Sequence, residues 1–148
     1  MTTFIENRKA RFEYEIMETF EAGIELFGFE VKAVKKHQGL FDGSHIVVRG
    51  GEAFLINVSI PPYQQNNVPK GYDSRRNRKL LLKKKELHYL AGQEEQRGLT
   101  IIPLSMYSNK NRVKLEIAIV RGKKTHDKRE SLKKRDIDRE VRRELKDR

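Results

Sequence analysis

Thirteen lysines and arginines fall within the last 28 residues, Arg121–Arg148, against seven aspartates and glutamates. That segment has no aromatic residue, and its sizeable apolar side chains are Leu132, Ile137, Val141 and Leu145. Its net charge of +6 is more than half of the +11 carried by the whole chain. Ammonium and guanidinium groups at this density gain little from packing and much from phosphates, because each neutralised phosphate releases condensed counterions. A second basic stretch lies inside the chain. Residues 61–79 hold Lys70, Arg75, Arg76, Arg78 and Lys79, with Tyr63 and Tyr72 interleaved. Cations with aromatics suit phosphate contact and base stacking; the same composition also suits a solvated loop.

Other chemistries find less support. His37, His45, His88 and His126 are scattered, and none pairs with a second ligand at metal spacing, so neither a metal nor a cofactor is expected. Asp42-Gly43 and Gly50-Gly51 read as turns, and no Gly-Lys-Ser/Thr loop for nucleotide phosphates is present. The chain has no cysteine, which removes thiol catalysis, disulfides and Cys-based zinc, and fits a reducing cytosol. Glu13, Glu15, Glu18, Glu21 and Glu25 fall at strand-like spacing that marks a solvent face more readily than an acid–base pair. The expectation is a binding protein and not an enzyme, with a nuclease or RNA-modifying enzyme built on distant carboxylates as the alternative.

The elements that must position these groups are mostly strands. Ser44–Arg49 and Glu52–Ile60 flank Gly50-Gly51, a pair suited to a tight hairpin, and Phe54, Ile56, Val58 and Ile60 alternate toward one apolar face. Pro61-Pro62 ends that pairing. A second hairpin joins Leu99–Tyr107 to Arg112–Arg121 through Ser108–Asn111, with Val113, Leu115, Ile117 and Ile119 on one face and Lys114 and Glu116 on the other. Phe12–Met17 and Thr19–Phe27 also read as strands, and Gly23 suggests a bulge or bend. Helices are expected at Phe29–Lys36 and at Lys83–Gln96, the latter with Leu87, Leu90 and Ala91 as its buried stripe.

With 148 residues the chain has room for one folded domain. The pattern predicts a mainly β protein: an OB-like closed antiparallel β-barrel with about two to three short helices over 1–121, and a flexible basic C-terminal tail over 122–148. Within the tail, Asp127 and Glu130 have capping-box spacing, and Ile137, Val141 and Leu145 recur every fourth residue. Such a segment is marginal as an isolated helix and is expected to form one only when bound. The first fifteen residues lack an apolar signal-peptide core, and runs such as Ile117–Val120 are far below the roughly 20 residues of a membrane helix. A cytoplasmic protein without a membrane partner is expected.

Six segments carry a resemblance: Asn7-Arg8-Lys9-Ala10-Arg11; Phe20-Glu21-Ala22-Gly23-Ile24; Gly28-Phe29-Glu30-Val31-Lys32; Gly51-Glu52-Ala53-Phe54-Leu55; Arg78-Lys79-Leu80-Leu81-Leu82; and Gly122-Lys123-Lys124 with His126-Asp127-Lys128-Arg129. In this order and spacing, from about Asn7 to Arg139, the chain resembles the small protein B family, the SsrA-binding proteins of bacterial trans-translation. The resemblance implies an OB-like adaptor that binds the tRNA-like domain of transfer-messenger RNA (tmRNA). It implies a stalled ribosome as second partner, with the protein standing where an anticodon stem would lie at the small-subunit decoding centre. The tail would then probe the empty mRNA channel, and elongation factor Tu would join through the aminoacylated tmRNA complex.

By motif position, the resemblance places Asn7, Arg8, Lys9, Arg11, Glu30, Lys32, Leu81 and Lys114 in tmRNA binding. It places Gly122, Lys123, Lys124, Asp127, Lys128 and Arg129 in the ribosomal function of the tail. A carboxylate cannot favourably meet a phosphate. Glu30 must therefore accept from a base or 2′-hydroxyl, orient Lys32, or form a structural salt bridge. The chain departs from the family pattern at Phe12, where histidine is usual, at Ala33-Val34-Lys35 for Ser-Leu-Arg, at His37-Gln38-Gly39-Leu40, and at Ser74 for proline. Another basic OB-barrel protein of translation is the alternative within the RNA-binding class.

Overall fold

In the computed structural model, which describes residues 2–63 and 68–122, the strand and helix signals resolve into seven strands and three helices. In chain order these are β1 (Thr2–Glu6), α1 (Arg8–Glu13), β2 (Tyr14–Ile24), α2 (Gly28–Lys35), β3 (His45–Arg49), β4 (Glu52–Ile56), β5 (Arg78–Leu81), α3 (Lys84–Glu94), β6 (Leu99–Asn109) and β7 (Arg112–Gly122). The expected tail helix and its Asp127–Glu130 cap lie outside the described residues.

All pairings are antiparallel, in the order β1-β6-β7-β2-β5-β4-β3. The mainly β class is therefore as expected. The hydrogen-bonded order has two ends, β1 and β3, and no ladder among the described residues joins them, although β3 packs across the fold against β6.

Both expected hairpins form. Gly50 and Gly51 have φ of +60° and +75°, the left-handed pair that matches the twist of flanking strands. The second turn is tighter than its polar stretch suggests, because Lys110 and Asn111 take φ of +52° and +63° and alone join β6 to β7.

Three expectations are corrected. In β4 the inward residues are Ala53 and Leu55, not Phe54 and Ile56. Asn57, at φ +66°, then shifts the alternation so that Val58 and Ile60 return to the core. Phe12 and Glu13, expected to open a strand over Phe12–Met17, instead end the helix α1, and β1, which the sequence pattern does not announce, pairs with β6. Gly23 keeps regular register; the irregularity of β2 falls between Ile16 and Glu18.

The main core gathers Leu55, Val58, Ile60, Leu90, Met106, Leu115, Ile117 and Ile119 from both sides of the curved sheet. Leu90 is the buried residue of α3, with Leu87 and Ala91 packed partly beside it. Ala118 and Val120, on the opposite face of β7, join Ala10, Ile102 and Leu104 in a second, smaller core beneath α1. The face expected to be polar at Lys114 and Glu116 thus becomes apolar toward the end of β7. α2 ends in a Schellman turn: Gln38 N–H donates to Ala33 O and His37 N–H to Val34 O. His37 occupies the left-handed position at φ +61°, and its Nδ1 lies 2.8 Å from Phe4 O.

Candidate nucleic-acid interface

The register of three strands brings two of the expected binding residues together. Lys114 of β7 pairs with Gly23 of β2, and Gly23 pairs with Leu81 of β5, so the three share one row on one face. Gly23 has no side chain to fill the row, and a Cβ there would lie 3.1 Å from Leu81 Cβ. Leu81 is 52% exposed despite its apolar side chain, which leaves an aliphatic contact surface beside an ammonium group. Tyr107 continues the row as partner of Lys114, and its hydroxyl donates to Glu21. That bond, with the charge of Lys114 nearby, holds the Glu21 carboxyl below the usual range.

β2 then leads through three residues to α2, which carries Glu30 and the exposed Lys32. Glu30 is fully buried, and every group around it is internal. Its Oε2 accepts from Arg78 Nη2 at 2.7 Å, Arg78 Nε at 2.9 Å and Arg76 Nε at 3.2 Å. Its Oε1 accepts from Arg76 Nη2 at 2.5 Å and from the Phe27 N–H at 2.7 Å. The Tyr72 hydroxyl lies 2.8 Å from both Glu30 Oε2 and Ile60 O. Burial alone would push the Glu30 carboxyl up. The Arg76 and Phe27 donors and the Arg78 charge outweigh it and hold the group below the usual carboxylate range. Burial, and then the hydrogen bond to Glu30, push Tyr72 up to about 12.

Arg78 is likewise fully buried, and its remaining donors reach Val58 O, Arg76 O and Ser74 O. All five of its N–H groups are used. Of the basic loop, Arg78, Arg76 and Tyr72 therefore turn inward to build the fold, while Lys70 and Arg75 face solvent. Composition alone groups all of them as phosphate and base contacts. The signal for burial was Phe27-Gly28-Phe29-Glu30, a carboxylate set among aromatics with three basic or phenolic donors placed to meet it.

The N-terminal motif stands elsewhere. Asn7 tethers the start of α1 to β6, with its Nδ2 donating to Pro103 O and its backbone N–H to Leu104 O, both at 2.8 Å. The side chains of Arg8 and Lys9 are 91% and 72% exposed, with only 4.0 Å contacts to Glu6 and Asp42, and Arg11 is exposed. α1 runs directly into Tyr14, which pairs with Gly122, the first residue of the expected tail and the last described one, here the end of β7. Nine residues of β2, about 30 Å of strand, separate this end from Gly23. Asn7, held on Pro103, is level with Ile117 and Phe20 part-way along the sheet, and α1 runs from there to the Tyr14–Gly122 end. Lys123, Lys124, Asp127, Lys128 and Arg129 lie outside the described residues.

Among the described residues no three His, Asp or Glu side chains are grouped to hold a metal ion, and no helix is long and apolar enough to cross a membrane. Fold and surface together define a basic, mainly β antiparallel domain with exposed cations on α1, α2 and the loop before β5. A sequence profile of the family described as "SmpB protein" matches residues 4–147. The chain belongs to that family. An "SsrA-binding protein" of Microcystis aeruginosa is 51% identical over 141 residues, covering 95% of this chain and 92% of its own. One of Mesoplasma florum is 50% identical over 140 residues, covering 95% and 94%. A solved structure described as "tmRNA-SmpB: a journey to the center of the bacterial ribosome" superposes with a TM-score of 0.70 at 44% identity, covering 86% of this chain and 92% of that one.

Proposed function

We propose that this protein is a tmRNA-binding adaptor of trans-translation, active in the cytoplasm and not an enzyme. In this reading it binds the tRNA-like domain of tmRNA, delivers it to stalled ribosomes and stands in for an anticodon stem. The tail, 122–148, enters the vacant mRNA channel, and elongation factor Tu joins through the aminoacylated RNA. The sheet, 1–121, is the RNA-binding unit, and the packing of β3 against β6 supports an OB-like barrel. Lys32 and Lys114 neutralise phosphates, Leu81 packs on sugar or base, and Glu30 acts indirectly by bracing the loop. Arg8, Lys9 and Arg11 supply cations along the helix that leads to the exit of the tail, and Asn7 sets the start of that helix.

The reading rests above all on a near end-to-end likeness to SsrA-binding proteins at about half identity. The two-ended placement of the basic groups also suits a protein that must touch an RNA and a second partner at once. The deciding experiment pairs RNA capture with truncation. The full chain is expected to co-purify with tmRNA in preference to bulk tRNA and ribosomal RNA. Truncation after Arg121 is expected to leave that binding and abolish tagging of peptides on stalled ribosomes. Capture of other RNAs in preference would overturn the function; tagging by the truncated protein would overturn the division of labour.

A further inference from the structure

The guanidinium of Arg76 has four of its five N–H donors committed in its own plane. Nε and Nη2 hold Glu30, the second Nη2 proton faces Glu25 O at 3.5 Å, and Nη1 faces Asn77 O at 3.3 Å. A bidentate fork onto a phosphate needs two free donors on one edge, and no edge has them. What remains is the flat face. Cζ of Arg76 lies 4.3 Å from the centroid of the Phe27 ring, so one face is stacked on an aromatic that is itself 46% exposed. The Arg76 side chain keeps 26% exposure. Beneath, Phe27 stacks on Phe29 at 5.5 Å, and Phe29 meets Tyr72 edge-on at 4.8 Å. Since Tyr72 also touches Glu30, the contacts close into a ring that holds the pair rigid.

We propose that Phe27 and Arg76 form a stacking platform for an unpaired nucleobase of the bound RNA, with Glu30 as its positioning residue. The inference builds on the RNA-binding reading above and adds a residue-level site to it. A rigid plane of guanidinium on phenyl offers a π-face to any base, and a base needs no in-plane donors from it. The pair lies at the Gly23 end of the sheet: β2 ends at Ile24, and Glu25 N–H donates to Lys79 O, two residues before Leu81. A base seated there leaves its flanking phosphates near the cations of that end.

The chain has no tryptophan, so Phe27→Trp introduces a single indole as a reporter of stacking. In full-length Phe27→Trp protein, oligoadenylate RNA at low salt is expected to quench the indole emission. Adding Arg76→Lys, which keeps the charge and its pair with Glu30 but removes the plane, is expected to weaken that binding about tenfold. In the otherwise wild-type chain, Phe27→Leu and Arg76→Lys should each weaken tmRNA binding similarly without changing the slope of affinity against salt, measured at a temperature where circular dichroism shows both variants folded. Indole emission unchanged by saturating oligoadenylate, or full affinity in Arg76→Lys, overturns the platform. Failure of the wild-type chain to bind tmRNA overturns the functional reading instead, and oligoadenylate quenching still decides the platform.

Discussion

Glu30 shows how a single buried carboxylate can organise a loop, accepting from Arg76, Arg78, Tyr72 and the Phe27 N–H. Removing one partner of a buried pair leaves the other charge uncompensated, at a cost of about 3–5 kcal/mol. Glu30→Ala and Arg78→Ala are each expected to lower the urea midpoint by that order. The double variant should lose less than the sum, because the two act as one unit. Independent losses would show that the pair is not the source. The pH dependence has a definite sign. A carboxyl held below its ordinary 4.5 contributes stability that is fully present above that value and is lost as pH falls through the lower folded value. Stability should therefore drop on acidification below about pH 4.5, and Glu30→Gln should flatten that limb. Tyr72 works in the opposite direction. Its hydroxyl, raised from 10.0 to about 12, contributes stability below pH 10 that disappears as pH approaches 12. Tyr72→Phe should reduce the alkaline limb, as followed by circular dichroism, with the raised Tyr107 and Tyr89 hydroxyls keeping the remainder.

Among the elements, β4 and the segment running on from it to Ile60 carry the clearest consequence. Strict alternation would aim Phe54, Ile56, Val58 and Ile60 to one side, yet one left-handed residue, Asn57, puts Ala53, Leu55, Val58 and Ile60 inward instead. A β-branched residue cannot adopt that conformation cheaply, whereas glycine can. Asn57→Gly is expected to change stability by less than about 0.5 kcal/mol, and Asn57→Val to cost about 1–2 kcal/mol. Equal unfolding midpoints for the two variants would mean that the phase of this segment is set elsewhere. α1 is a second case. Its six residues include only one buried side chain, Ala10, so its apolar period is too sparse to read from the chain. Tethering by Asn7 to β6 and the second core on β7 hold it in place.

For the whole molecule, the informative property is separation. The Gly23 end gathers Lys114, Leu81 and α2, while the end of α1 with Arg11 and the root of the tail stand at the Tyr14 end, about 30 Å away along β2. If Lys114 contacts a phosphate, Lys114→Ala should weaken tmRNA binding and reduce the salt slope by about one. Groups this far apart should also act independently, so the effects of Lys114→Ala and Arg11→Ala on tmRNA affinity are expected to add within about 0.5 kcal/mol. A larger coupling energy in that double-mutant cycle would mean that the two ends engage the RNA as one surface.

Local preferences were readable along the chain. Gly50-Gly51 named its hairpin, the periods of α2 and α3 named those helices within a residue or two, and Leu115, Ile117 and Ile119 named the inner face of β7. These follow from backbone conformation and from the two- and 3.6-residue periods, which act between near neighbours. The uneven charge and the six ordered motifs also pointed to the family before any geometry was known. Which basic residues face solvent was not readable, because lysine and arginine have the same composition whether they meet a phosphate or a buried carboxylate. Only the tertiary structure set Arg76 and Arg78 on Glu30, joined Lys114 and Leu81 across Gly23, and put the end of α1 beside the root of the tail. Those outcomes depend on contacts between residues 46, 48, 58 and 91 positions apart, which strand register and burial decide and no local pattern encodes.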